Sequence, residues 1–109
     1  MNLPIKTKNF IIETIKKALK KESLYQIILF GSYAKGEEHE NSDIDIAIQT
    51  PNPLDPALWS LIKESFEESN IIQEVDVIDY QRVHASFKKK IDEQGIVLYA
   101  KNEDISATK

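Results

Sequence analysis

Two aspartates that lie one residue apart, Asp43 and Asp45, stand in the segment "DIDIAIQT", which otherwise alternates like a β-strand. Strand side chains alternate between faces, so both carboxylates share one face, with Cβ atoms about 7 Å apart at a rise of about 3.3 Å per residue. Two ionised carboxylates this close repel each other, and burial increases the penalty. A divalent cation between them removes both penalties, and Mg²⁺ prefers carboxylate oxygens together with substrate phosphates. The pair therefore predicts a magnesium site.

A third carboxylate is expected from a neighbouring strand, and "QEVDVIDY" offers it. Glu74 and Asp76 share one face of this strand, while Val75 and Val77 share the other. Asp76 lies in the middle of the strand, where a carboxylate without a partner is unfavourable, so we predict it as the third metal ligand. The alternative is an exposed aspartate on an uncovered sheet face. Asp79 has the opposite parity at the strand end and is predicted to cap the following helix.

A glycine–serine pair, Gly31-Ser32, ends the apolar run "YQIILFG" and opens the polar segment "YAKGEEHENS". Backbone N–H groups at the start of a helical turn bind anions, and glycine allows a phosphate to approach the backbone closely. The serine hydroxyl can donate a further hydrogen bond. The pair thus favours a phosphate site, and the simpler alternative is that it only ends a strand.

The remaining pattern is that of alternating helices and strands. A first helix is predicted from about Ile5 to Lys21, and a second begins at Asp55 as N-cap with Pro56 in the first position. A last helix is predicted from Gln81 to Glu93, ended by Gly95. "GIVLYA" is a fourth, edge-like strand that could pair with a second copy in a homodimer. The stripe predicted to be buried in the second helix comprises Leu58, Leu61, Ile62, Ser65 and Phe66.

This order predicts a small α/β domain, a mixed sheet of about four strands covered by helices. The connection between the first two strands is too short for a full crossover helix, so they are expected to be antiparallel. The long helix between the second and third strands favours a right-handed crossover and a parallel pair. Trp59 is predicted to be a partly buried packing residue rather than a base-stacking platform.

Composition limits the class of protein. The chain of 109 residues, 41% hydrophobic and 29% charged, is typical of one globular domain, predicted over residues 1–100 with a flexible tail over 101–109. It has no cysteine, and His39 and His84 are too few for a zinc site. The net charge of −4 argues against a nucleic-acid-binding surface. With no secretory signal and no run of transmembrane length, a cytoplasmic location is expected.

The spacing of these residues resembles a known family. Gly31-Ser32, ten intervening residues and Asp43-Ile44-Asp45 resemble the G-S-x10-D-x-D signature of the polymerase-β-like nucleotidyltransferases. Ser42 completes the common "SDIDI" form, and "VDVIDY" resembles the third-carboxylate strand of that superfamily. In size and layout the chain is similar to the minimal nucleotidyltransferases, single-domain proteins of prokaryotes. It resembles in particular the subgroup encoded beside a small four-helix protein related to HEPN ribonucleases.

The resemblance implies a nucleotidyltransferase fold like the polymerase-β palm, and a role for each matching residue. Asp43 and Asp45 would hold two Mg²⁺ ions that carry the triphosphate, and Asp76 would complete the second metal site and activate the acceptor hydroxyl. Gly31 and Ser32 would hold the β- and γ-phosphates of ATP or another nucleoside triphosphate. The implied reaction is attack of a hydroxyl on the α-phosphorus, with pyrophosphate leaving.

One position departs from the family pattern. Many relatives have "GSRARG", whereas this chain has "GSYAKG", with Tyr33 in place of the first arginine. Tyrosine can donate a hydrogen bond but carries no charge. Lys35 keeps a positive charge in place of the second arginine. Lys35 and Ser42 therefore join Gly31 and Ser32 as the expected nucleotide-binding residues.

A chain this short has little room for an acceptor pocket, so a partner or a second copy is expected to complete the cleft. The resemblance implies a toxin–antitoxin pair in which this chain adenylylates a tyrosine of its HEPN partner. Two alternatives stay open. One is nucleotidyl transfer to a small molecule, with the helical partner supplying the acceptor site, and the other is a non-catalytic module that neutralises its partner by binding.

Overall fold

The structure is a computed structural model that describes residues 3–39 and 42–102. Four helices and four strands alternate along these residues, with one 3₁₀ turn before the last helix. In chain order they are α1 (Ile5–Ala18), β1 (Leu24–Phe30), α2 (Ser32–Lys35), β2 (Ile44–Gln49), α3 (Pro56–Glu67), β3 (Val75–Asp79), the 3₁₀ turn (Tyr80–Arg82), α4 (Ala85–Gln94) and β4 (Ile96–Asn102).

The four strands form one mixed sheet in the order β3-β2-β1-β4. β1 is antiparallel to both β2 and β4, while β2 and β3 are parallel. The predictions of an antiparallel first pair, a parallel second pair and an edge position for the last strand are confirmed. Because β2 is the inner neighbour of β3, the two strands that carry the aspartates lie side by side.

The sheet is covered on both faces, and the two faces differ in what they bury. One face packs against α1 and α3 and holds the larger core cluster, in which Ile27, Ile46 and Ile62 are fully buried. The other face packs against α4 through a small cluster of Ile28, Phe30, Ala47 and Ile91. Asp45 lies on this second face, because it alternates with the buried Ile44 and Ile46 of the first. The aspartates therefore occupy the less apolar face of the sheet.

The start of α3 follows its sequence signal. Asp55 is the N-cap, its Oδ1 accepts a hydrogen bond of 2.9 Å from the Ala57 amide, and Pro56 takes the first helical position. Of the predicted stripe, Ile62 and Phe66 are buried, whereas Leu61 is 49% exposed. The prediction for Leu61 is wrong because α1 covers only part of the apolar side of α3, and Leu61 lines a groove between the two helices.

The other boundaries differ from prediction by a few residues. The last helix does not begin at Gln81, because Asp79 caps a 3₁₀ turn there and α4 starts only after His84, whose Nδ1 accepts from the Ser86 amide at 3.3 Å. Gly95 ends α4 as predicted, but at an ordinary φ of −71°. Glycine is required there by space, since a Cβ would lie 2.6 Å from Ile28 Cγ2.

The first helix and the predicted tail also need correction. α1 ends at Ala18 rather than Lys21. Lys101 and Asn102, assigned to the tail from sequence, belong to β4 because they pair with Tyr25 and Leu24 of β1. The rest of the predicted tail, 103–109, lies outside the described residues. None of the helices in the described part of the chain has the length and apolar character needed to cross a bilayer.

Candidate active site

The turn that follows β1 places Gly31 directly against Asp45. Gly31 has φ 77° and ψ −154°, a backbone region that is essentially restricted to glycine. A Cβ at this position would overlap Asp45 Oδ2 and lie 3.1 Å from Asp45 Cγ. Both the backbone angle and the contact therefore require glycine, and the predicted phosphate turn adjoins one of the predicted metal ligands.

Two of the predicted metal ligands are neighbours across the parallel ladder. Asp45 of β2 and Asp76 of β3 are register partners, and Phe30 of β1 is the partner of Asp45 on its other side. Side chains of register partners project to the same face of a sheet. The structure therefore brings together Gly31, Asp45 and Asp76, which are far apart in the sequence.

Asp43 has a different setting from the one predicted. It is exposed and precedes β2, which begins at Ile44, so it is not buried in a strand core. Asp45 is half-buried. Burial, together with the nearby carboxylates of Asp76 and Asp43, raises the pKa of Asp45 to about 6. Asp43 thus lies close enough to Asp45 to repel its negative charge, and the three carboxylates form one cluster.

The cluster lacks a compensating positive charge within the described ranges. Among residues 3–39 and 42–102, no side chain forms a hydrogen bond or ion pair with Asp43, Asp45 or Asp76. The ion pairs in these ranges involve other residues. Uncompensated carboxylate oxygens are the donors that hard divalent cations prefer. In this arrangement of side chains, no group of three or more potential ligands among those same residues converges closely enough to hold an ion. The donor chemistry fits a cation, and binding requires the carboxylates to turn toward each other.

The side chains of the short helix α2 differ in whether they lie in the core or on the surface. Tyr33, which replaces the arginine of many relatives, is 4% exposed and packs in the large core cluster. It therefore does not face a phosphate. Lys35 is exposed, with its Nζ 3.9 Å from Glu37 Oε1. Ser32 is half-buried at the first position of α2, and its hydroxyl forms no hydrogen bond with the residues that the structure describes.

Ser42 holds the loop before β2. It is 6% exposed, its Oγ accepts from the His39 amide at 2.8 Å, and its own amide donates to the His39 carbonyl at 2.9 Å. These paired bonds join Ser42 to His39 directly before Asp43. The bonds hold Ser42 next to Asp43, and its predicted contact with the nucleotide stays a prediction.

A groove of about 390 Å³ lies along the outer side of β3 and includes Asp76. Lys63 of α3, which is exposed, lines the same groove. The sequence does not indicate the position of Lys63, because a lysine on a helix carries no signal of which cavity it faces. Arg82 lies elsewhere and pairs with Asp79 Oδ2 at 3.4 Å.

Comparison with known proteins defines the class. Residues 13–104 match the family model described as polymerase beta, nucleotidyltransferase. The chain therefore belongs to the polymerase beta nucleotidyltransferase family, and it is a nucleotidyltransferase. This confirms the family and the fold that the motif spacing and the order of elements predicted.

Within the family, the chain is similar to minimal enzymes of one kind. It is 32% identical to a probable protein adenylyltransferase MntA of Haemophilus influenzae over 87% of this chain and 82% of the relative. It is 34% identical to the protein adenylyltransferase MntA of Shewanella oneidensis over 88% of this chain and 67% of the relative.

Solved structures of such proteins share the fold. A mutant toxin–antitoxin MntA-HpeT complex matches with a TM-score of 0.70 at 27% identity, covering 89% of this chain and 75% of the solved one. A toxin–antitoxin structure with AMP-PNP matches with a TM-score of 0.64 at 31% identity, covering 84% of this chain and 75% of the solved one.

Proposed function

We propose that this chain transfers AMP from ATP to a hydroxyl group of a partner protein. The observation that carries the proposal is the contact of the Gly31 turn with Asp45, whose register partner is Asp76. A phosphate-binding turn and a carboxylate cluster that meet in this way suit a nucleoside triphosphate. Relatives named protein adenylyltransferases, and a solved neighbour with AMP-PNP, support ATP as the nucleotide and a protein as the acceptor.

Each residue of the site has a role in this proposal. Asp43, Asp45 and Asp76 would hold two Mg²⁺ ions, which when bound neutralise the charge of the triphosphate. The amides of Gly31 and Ser32, with the Ser32 hydroxyl, donate hydrogen bonds to the β- and γ-phosphates. Lys35 adds positive charge beside them.

The reaction joins the acceptor oxygen to the α-phosphorus and breaks the bond from that phosphorus to the bridging oxygen of pyrophosphate. Asp76 lies on the open side of the site and accepts the proton of the acceptor hydroxyl as the new bond forms. Pyrophosphate leaves with its charge balanced by the donors of the Gly31 turn. The enzyme contributes mainly position and electrostatic stabilisation, which suits a site that offers carboxylates and backbone donors.

We further propose that the acceptor is a helical partner of the HEPN type, with this chain as the antitoxin-like half of the pair in the cytoplasm. The support is that the similar solved structures are toxin–antitoxin complexes. The groove beside Asp76 is partly open to solvent, so a second protein is suited to complete it.

The proposal is tested by incubating the purified chain with its helical partner and α-labelled ATP. We expect label on the partner in the presence of Mg²⁺, none with EDTA, and a loss of at least about 100-fold in Asp43→Asn, because an amide cannot replace a metal-binding carboxylate. Asp55→Asn is the matched control, since it removes the same charge while asparagine still caps α3. Stable binding to the partner without any transfer by the wild type would favour the non-catalytic alternative.

A further inference from the structure

β3 is an edge strand whose outer side is unpaired. It is the last strand in the order β3-β2-β1-β4, and no strand among residues 3–39 and 42–102 pairs with its outer edge. It contains neither proline nor a bulge over its five residues, so two of the devices that block an edge are missing, although the strand is short and carries Asp76 and Asp79. Its outer backbone groups can therefore accept another strand.

The register shows which backbone groups face outward. The Ile44 amide donates to the Glu74 carbonyl at 2.9 Å. In a parallel ladder the Ile44 carbonyl then accepts from the Asp76 amide, so even-numbered residues of β3 bond to β2. Val75 and Val77 consequently direct their N–H and C=O groups away from the sheet. These are the groups that an added strand would use.

The outer edge opens into the groove that contains Asp76. Its lining includes Lys63 and Phe66 of α3 on one side and Ile72 at one end. Ile72 is 95% exposed, the highest value for a large apolar side chain in the described part of the chain. A second groove continues along the edge past Trp59, whose indole Nε1 is buried without a hydrogen-bond partner among the residues described. The two grooves therefore border β3 from Val75 to Asp79.

We propose that an extended segment of the acceptor protein adds as a strand to the outer edge of β3 and places its hydroxyl-bearing residue beside Asp76. This proposal rests on the proposed function and specifies how the acceptor is recognised. Only an extended chain meets the outward groups of Val75 and Val77 in one ladder, which is the mode of β-strand addition. Apolar residues that flank the hydroxyl would contact Phe66 and Ile72.

The geometry of an antiparallel ladder explains why this edge suits the reaction. Because Val75 and Val77 would form the hydrogen-bonded pairs, Asp76 would occupy the non-hydrogen-bonded position between them. Cross-strand side chains approach most closely at such positions, with Cβ atoms about 4.5–5.5 Å apart, and a diagonal neighbour remains within reach of a long side chain. A hydroxyl opposite or diagonal to Asp76 would thus meet the carboxylate that accepts its proton.

The test is amide hydrogen exchange, measured by NMR on the ¹⁵N-labelled chain, alone and with the HEPN-type partner. α,β-Methylene ATP is added because its α–β bridge cannot be cleaved, so the complex does not turn over. We expect exchange at Val75 and Val77 to slow at least about tenfold in the complex, since their amides gain acceptors. Asp76 and Ile78 are internal controls, because their amides already bond to β2 and should change little.

Unchanged exchange at Val75 and Val77 would overturn strand addition, whether or not the partner becomes labelled with AMP. Protection that appears with rising concentration of this chain alone would overturn it in favour of pairing between two copies. Edge protection in the complex without AMP transfer by the wild type would leave the docking correct and contradict the proposed function instead.

A pair of variants tests strand addition independently, by its effect on AMP transfer. Val75→Pro removes an outward amide without loss of a bond to β2, and proline is tolerated at the first position of a strand. We expect transfer to the partner to fall about tenfold or more in Val75→Pro and to stay at least about fivefold higher in Val75→Ala, which keeps the amide, than in Val75→Pro. Equal transfer by the two variants would count against the edge. The exchange measurement on the wild type does not depend on the variant folding.

Discussion

At the scale of single residues, Gly31 and Asp45 depend on each other. The chain must turn sharply after β1, and Asp45 fills the space in which a side chain at Gly31 would lie. Gly36, five residues after Gly31, has a similar φ of 74° but a ψ of 22° in the αL region, and no atom would lie within 4 Å of an added Cβ. The two glycines therefore share a positive φ, and only Gly31 contacts the carboxylate.

Alanine at each glycine tests this distinction. Both Gly31→Ala and Gly36→Ala should lower the free energy of unfolding, by about 1–3 kcal/mol, because alanine at positive φ is strained. Only Gly31→Ala should also lower AMP transfer more than about tenfold, because its Cβ displaces Asp45. Thermal unfolding and the transfer assay measure the two effects. A similar loss of transfer in Gly36→Ala would show that the turn itself, rather than its contact with Asp45, matters.

The raised pKa of Asp45 makes stability depend on pH. Its pKa is about 6 in the folded chain and about 3.9 in the unfolded chain. Between these pH values the carboxyl holds a proton in the folded state that it has lost in the unfolded state. Stability should therefore fall as pH rises from about 4 to 6 and stay lower above that range. Because the side chain is only half-buried, solvent screening reduces the effect to about 1 kcal/mol.

Asp45→Asn removes the cost of holding an ionised carboxylate at this position. It should raise the free energy of unfolding of the metal-free chain at pH 7 and leave it unchanged near pH 3.5. Urea unfolding at the two pH values checks the sign. Adding Mg²⁺ at pH 7 should stabilise the wild type and not the variant, since binding to the folded state alone shifts unfolding. Stability that is lower in Asp45→Asn at pH 7 would contradict the account of an uncompensated carboxylate.

At the scale of elements, the predictable features were those with a local physical signal. Asp55-Pro56 specified the start of α3, and the alternation around Asp76 specified which face of β3 carries its carboxylate. The exposure of Leu61 depends on where α1 crosses α3, and the local sequence of α3 does not indicate that position. The start of α4 depends on two competing caps, Asp79 and His84, and helical periodicity does not distinguish between them.

The α3 cap should matter for stability and not for chemistry. Asp55→Ala removes the acceptor for the Ala57 amide and should lower the free energy of unfolding by about 1 kcal/mol. AMP transfer at 25 °C should be unchanged, because Asp55 lines neither groove along β3 and lies at the opposite end of α3 from Phe66. Glu64→Ala, at an exposed position within the same helix, is the control and should change stability by less than about 0.5 kcal/mol. A loss of transfer in Asp55→Ala would mean that the end of α3 contributes to the site.

At the scale of the whole molecule, the sheet order assembles the site. Gly31, Asp45 and Asp76 meet because β2 lies between β1 and β3, an arrangement that followed from the connection lengths. The burial of Tyr33 and the groove beside Lys63 could not be predicted, because both depend on how the helices settle against the sheet. Tyr33 is thus a core residue and contributes no phosphate ligand.

The central claim is that the three carboxylates and the Gly31 turn transfer AMP to a partner protein. The most direct measurement is the intact mass of the helical partner after co-expression with the wild-type chain or with Asp76→Asn. We expect the partner to gain the mass of one or more AMP groups with the wild type and none with Asp76→Asn, while the wild type and the variant both co-purify with it. An unmodified partner with the wild type, or equal modification by Asp76→Asn, would contradict it.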